Sequence, residues 1–196
     1  MSLPSVETTA RREPEAMNGV KTPELLDVAA RIGAQPELAR VTWRAGGDWM
    51  GGAHMLGRIE GFAAAGGARM HPQAFRPESD HPAALCGEGA GPTPMEWVLH
   101  GLAGCLTAGI ANIAAARGVR LDEISVAVEG DMDLRGGFGV SDEVRNGFEG
   151  IRVTFRVRGD ASPETLAGIV ERSRARSAVF DALTNRTPVA IRVDAG

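Results

Sequence analysis

The stretch Gly91-Pro92-Thr93-Pro94-Met95-Glu96-Trp97-Val98-Leu99-His100-Gly101-Leu102-Ala103-Gly104-Cys105 opens the clearest element in the chain. Thr93 offers an N-cap hydroxyl, Pro94 suits the first helical position, and Glu96 at N3 completes a capping box. From Trp97 to Ala116 no charged residue occurs, and Arg117-Gly118 then supplies a last-turn cation and a C′ glycine. The spacing predicts one helix roughly 35 Å long at 1.5 Å per residue. A run of this length has the dimensions of a membrane span, but His100, Thr107 and Asn112, with glycines at 101, 104 and 109, lower its apolarity, and no second span follows. The expectation is a helix buried at the centre of a protein that does not enter a membrane. Gly101, Cys105, Ala108 and Asn112 recur at helical spacing and form a stripe of small side chains. Such a stripe lets another backbone approach closely, and the same helix of a second subunit is the expected neighbour.

Upstream, Pro77 to Pro92 reads as a loop that delivers the chain to this helix. Val41 to Phe75 shows short strand-like pieces broken by Gly46-Gly47, Gly51-Gly52 and Gly66-Gly67, which predicts an antiparallel meander. Thr22-Pro23-Glu24 predicts a helix through about Ile32, with Thr22 as its cap, Gly33 as its stop and Leu25, Val28, Ala29 and Ile32 as its apolar stripe. Residues 1–16 mix Pro, Thr, Ser and charge without period and read as an unstructured tail, with Met17 a plausible natural start.

Downstream of Gly118 the period switches to two. Ile124, Val126, Val128, Met132 and Leu134 alternate with Ser125, Glu129, Asp131 and Asp133, and Ile151, Val153, Phe155 and Val157 alternate with Arg152, Thr154, Arg156 and Arg158. These predict two half-buried strands joined by a Gly-rich loop from Gly136 to Gly150. Ser162-Pro163-Glu164 opens a helix to about Ser173, Ser177 caps a shorter one through Leu183, and Pro188 to Val193 closes the chain as a strand. This order is an α+β arrangement, since it lacks the βαβα alternation of a parallel sheet. The chain divides into the tail 1–16, a helical extension 17–40 and a single domain 41–196, a count that its 196 residues support.

A net charge of -4 with no basic block argues against nucleic acid as a partner. Two cysteines, Cys86 and Cys105, are too few for a disulfide scaffold, and Met1 to Ala16 holds no apolar signal core, so a reducing cytoplasm is the expected location. His54, His71, His81 and His100 have no paired spacing, so no metal is expected. Gly51-Gly52 lacks the context of a nucleotide loop, so no cofactor is expected either.

The run Gly91 to Leu99 with Leu102-Ala103-Gly104-Cys105 resembles the signature of the OsmC/Ohr family, in which a G-P-x-P-x-E turn feeds a central helix bearing a reactive cysteine. Three further runs agree with it in order: Glu129 to Gly136, Arg145-Asn146-Gly147-Phe148 leading into Ile151-Arg152-Val153, and Ser177-Ala178-Val179-Phe180-Asp181. The likeness covers roughly Val41 to Val193. It implies curved antiparallel sheets around long central helices in an intertwined homodimer, with both sites at the subunit interface. The expected dimer buries well over ~2,000 Å².

In members of the family that reduce organic hydroperoxides, a helix cysteine attacks the peroxide, a second cysteine resolves the sulfenic acid, and an Arg with a Glu activates the first thiol. The resemblance puts Cys105 at the attacking position and Ser177 where the resolving cysteine would stand. Met95 occupies the place of the activating Glu, and the acid, Glu96, follows one residue on, about 100° around the helix. Arg44 and Arg58 are the candidates for the activating Arg, and Asp80, within Asp80-His81-Pro82, either edges the pocket or fixes the loop beside the proline. Cys86, in the loop before the helix, reads as a small packed or exposed residue, with pairing to Cys105 as the alternative. Two function classes follow: reduction of organic hydroperoxides through Cys105 with an external thiol, or a non-catalytic member binding a small apolar ligand between subunits.

Overall fold

The structure, a computed structural model, describes residues 16–195, so all but the last residue of the expected tail 1–16 lies outside it. The central helix, α2, spans Pro94–Ala116, and both halves of the expected capping box form at Thr93 and Glu96. Its far end closes as a Schellman motif: Val119 N donates to Ala114 O and Gly118 N to Ala115 O. Gly118 makes this possible with φ of +70°, a conformation a side chain would strain.

Two strands follow α2, β6 (Leu121–Asp131) and β7 (Gly150–Gly159), paired antiparallel with Val126 opposite Phe155 and Val128 opposite Val153. Their outer face carries cross-strand ion pairs, Arg152 with Asp131, both exposed, and Arg158 with the half-buried Glu123, each worth only about 0–1 kcal/mol. The inner face meets α2 and α4 (Pro163–Arg174). Ile110, Ala114 and Ile169 form the fully buried centre, flanked by Ile113, Ile124, Phe155 and Val170. Full burial of a side chain such as Ile110 stabilises by about 1.5–3 kcal/mol. The helices meet closely at Gly109, where a Cβ would stand 2.3 Å from Ser173 Oγ. That hydroxyl in turn donates to Leu106 O at 2.7 Å. The last helix, α5 (Ala178–Thr184), packs against α2 and is capped by Ser177, as expected.

The N-terminal half forms a meander. β3 (His54–Ala64) is its spine; β1 (Val41–Trp43) and β2 (Gly46–Gly51) pair along one edge, and β4 (Gly67–Phe75) and β5 (Glu78–Ser79) along the other. The extension 17–40 holds α1 (Thr22–Ala34) and is pinned to the domain by Asn18, which donates to Val119 O at 2.9 Å and accepts from Leu121 N at 2.8 Å.

Several expectations are corrected. Thr22 lies inside α1, with Lys21 in the cap position, and its hydroxyl donates to Val20 O; Gly33 continues the helix because nothing crowds it and its φ is ordinary. None of the α1 stripe is buried: Val28 and Ile32 face solvent in the single chain. β6 stops at Asp131, and Met132 and Leu134 leave it because Asp133 caps a one-turn helix, α3 (Leu134–Gly137). The loop after Pro77 is shorter than expected, since Glu78–Ser79 still pairs with β3.

Pro188 to Val193 forms no strand. Val189, Ile191 and Val193 keep a strand's alternation but are 82%, 86% and 83% exposed, because no edge among the described residues pairs with them. Finally, α2 is not buried all round. Leu102, Leu106, Ile110 and Ala114 are covered, whereas His100, Gly104 and Ala108 are exposed and nothing lies over Gly101 or Gly104. By length and composition α2 could cross a membrane, yet its most apolar face is already packed against the helices and strands of its own chain.

Candidate functional site

Cys105 sits midway along α2, half-buried, one turn after the buried Leu102. Its sulfur faces the start of α5. Ser177 Oγ donates to Cys105 Sγ at 3.1 Å while accepting from Phe180 N, also at 3.1 Å. Ser177 is itself 6% exposed. The backbone N–H groups of Val179 and Ala178 also reach the sulfur. Burial works against the thiolate and is the largest single influence on it. The hydrogen bonds from Ser177, Val179 and Ala178 together outweigh that effect and hold the thiol below its ordinary pKa. A lowered, partly accessible thiol is the form of cysteine that reacts with electrophiles and peroxides.

The other candidates are placed elsewhere. Glu96 Oε2 accepts from Thr93 N at 2.7 Å and from Thr93 Oγ1 at 2.9 Å, and these two bonds lower its pKa; it serves the helix start and does not touch the thiol. Arg44 and Arg58 line a concavity of about 310 Å³ whose walls come only from the meander. Arg58 also pairs with Asp48 at 2.5 Å. Among the described residues, the groups acting on Cys105 include no arginine and no carboxylate.

Asp80 is 1% exposed and organises the loop ahead of α2. Its Oδ1 accepts from His81 N, and its Oδ2 accepts from Glu88 N and Ala90 N. The bond from Ala90 is the strongest influence, and the three together hold its carboxyl below the usual aspartate range against the opposing effect of burial. Cys86 is free and exposed, at a residue with φ of 64°, and Cys105 is free as well, so the two are not bridged. Among the described residues no three His, Cys, Asp or Glu side chains cluster as a metal would require.

Along the N-terminal half of α2, from Met95 to Leu102 and short of Cys105, lies a cavity of about 460 Å³. Met95, Val98 and Leu102 of α2, Ile151 of β7 and Phe180 of α5 give it apolar walls, and Arg145 and Glu149 line it as well. Sequence reasoning missed this cavity and the amides of Ala178 and Val179. The second omission had a signal: an N-cap at Ser177 leaves the next amides without intrahelical partners.

Residues 87–192 match the family model described as OsmC-like protein. None of the curated proteins matches the chain. Among solved structures, an OsmC-like protein of Mycoplasma pneumoniae superposes with a TM-score of 0.56 at 15% identity, over 72% of this chain and 86% of that one. A protein of Psychrobacter arcticus 273-4 gives 0.52 at 13% identity, over 70% and 85%. One of Aquifex aeolicus VF5 gives 0.50 at 15% identity, over 72% and 86%. At these identities the superpositions speak for the fold alone. The family model spans more than half of the chain, including the helix of Cys105 and the cap of α5, and the chain belongs to the OsmC-like family.

Proposed function

We propose that this protein reduces organic hydroperoxides through Cys105 in the cytoplasm, with a small external thiol as reductant. The observation that carries the reading is the hydrogen-bonded thiol of Cys105 on a helix whose preceding turns, at Met95, Val98 and Leu102, border a largely apolar cavity. In the reaction the thiolate attacks the terminal oxygen of R–O–O–H. The S–O bond forms, the O–O bond breaks, and the alkoxide leaves and takes up a proton as the alcohol. Sulfur is oxidised to sulfenic acid. A first external thiol then forms a mixed disulfide and releases water, and a second frees Cys105 as the thiolate and departs as the oxidised disulfide. The cavity beside Met95, Leu102 and Phe180 suits the carbon chain of the hydroperoxide.

The working unit in this proposal is a homodimer. Trp43, Trp49 and Met70 of the meander, one side of α2 and Val189 to Val193 are exposed apolar groups that a second subunit would cover. A second subunit would also be the source of an arginine such as Arg44 near the thiol. Light scattering at micromolar concentration is expected to give twice the 20.5 kDa chain mass. A monomer would refute the assembly.

The test of activity is consumption of cumene hydroperoxide in the presence of dithiothreitol. The wild type is expected to consume it well above the buffer rate, and Cys105→Ser to fall to that rate. Equal consumption by the two proteins, or none by either, overturns the reading. A second reading is favoured by the hydroxyl at 177 and the apolar cavity: a non-catalytic member that binds a small apolar ligand. An inert wild type that retains such a ligand through purification would support it.

A further inference from the structure

The hydroxyl of Ser177 does two things at once. Its oxygen accepts from Phe180 N at 3.1 Å, which fixes the oxygen at the start of α5. Its proton is then left to point at Cys105 Sγ, 3.1 Å away and 72 residues distant in sequence. At 6% exposure Ser177 has little water to compete for that proton. A hydrogen bond donated to sulfur stabilises the charged thiolate more than the neutral thiol. Among the described residues, no guanidinium is one of the groups acting on this sulfur.

We infer that Ser177 is a positioning residue for the reactive thiol: its buried hydroxyl, held by Phe180 N, aims Cys105 and keeps it in the nucleophilic form. The inference rests on the reading of Cys105 as the reactive group and deepens it. A hydroxyl at this place cannot form a disulfide with Cys105, but it can hold the thiolate that a disulfide-forming partner would consume. The residue thus exchanges capture of the oxidised sulfur for activation of the reduced one.

The test is alkylation of Cys105 by iodoacetamide as a function of pH, read on the Cys105 peptide by mass spectrometry so that the exposed Cys86 does not interfere. Ser177→Ala and Ser177→Gly are expected to be alkylated roughly tenfold more slowly at pH 7 and to need higher pH for full reactivity, since only the thiolate reacts. Ser177→Thr restores the hydroxyl and is expected to follow the wild type. The glycine variant separates this role from capping, because glycine at an N-cap costs only a few tenths of a kcal/mol relative to serine. It also carries the test if the alanine variant fails to fold. A folded Ser177→Gly protein with the wild-type pH profile overturns the inference, as does a threonine variant as slow as the glycine one. No peroxide enters this experiment, so failure of the peroxidase reading and failure of the Ser177 role are told apart.

Discussion

Treated with excess cumene hydroperoxide in the absence of any small thiol, the wild-type protein is expected to carry two or three added oxygens on Cys105. The first oxygen atom arrives by thiolate attack, which the bonds from Ser177, Val179 and Ala178 favour. The resulting sulfenic acid must then meet a thiol or a second peroxide. Ser177 offers it only a hydroxyl, and Cys86 is a free, exposed residue in the loop before α2. Overoxidation to sulfinic and then sulfonic acid follows, and neither is reversed by ordinary thiols. Added dithiothreitol is expected to suppress it by intercepting the sulfenic acid. An unmodified Cys105, under conditions that oxidise the exposed Met50 and Met70, would mean a shielded and unreactive cysteine and would end the peroxidase reading.

A cysteine in place of Ser177 is expected to reverse this outcome. The Ser177 oxygen already lies 3.1 Å from the Cys105 sulfur, so Ser177→Cys sets a second sulfur within a small rotation of the ~2.05 Å bond a disulfide needs. One equivalent of cumene hydroperoxide should then remove two titratable thiols and leave an internal disulfide. Overoxidation under excess peroxide should drop by about tenfold or more, since an intramolecular thiol reacts at high effective concentration. The bond would tie residues 72 apart, which restrains the unfolded chain by about 4 kcal/mol, so the oxidised variant should also melt at higher temperature than the reduced one. Retention of both free thiols after peroxide treatment would show that the side chains cannot approach in the reactive geometry.

The sequence announced its elements where local chemistry closes within a few residues. Thr93 and Glu96 satisfy each other's backbone groups three positions apart, Gly118 ends α2 through bonds to Ala115 and its neighbours, and Ser177 caps α5 by the same short-range logic. It was less reliable where alternation extended beyond its support. Val189, Ile191 and Val193 alternate as a strand should, but a strand forms only against an edge, and the described residues supply none to this segment. Glu96 reads from its spacing to Thr93 as half of a cap, with an acid near the thiol as the alternative, and the direction of its carboxylate settles it as the cap.

What the sequence determined by itself is the family, the central helix with both of its ends, and the place of Cys105 upon it, because these depend on residue type and short spacing. What the tertiary structure decided is which side of α2 is covered, that Asp80 is spent on three loop amides, and that Ser177 meets Cys105. These depend on groups brought together across long stretches of chain by the packing of α2 against α4, α5 and β6. No local pattern encodes such a meeting, since the free energy that enforces it is the burial of Ile110, Ala114 and Ile169 elsewhere in the core.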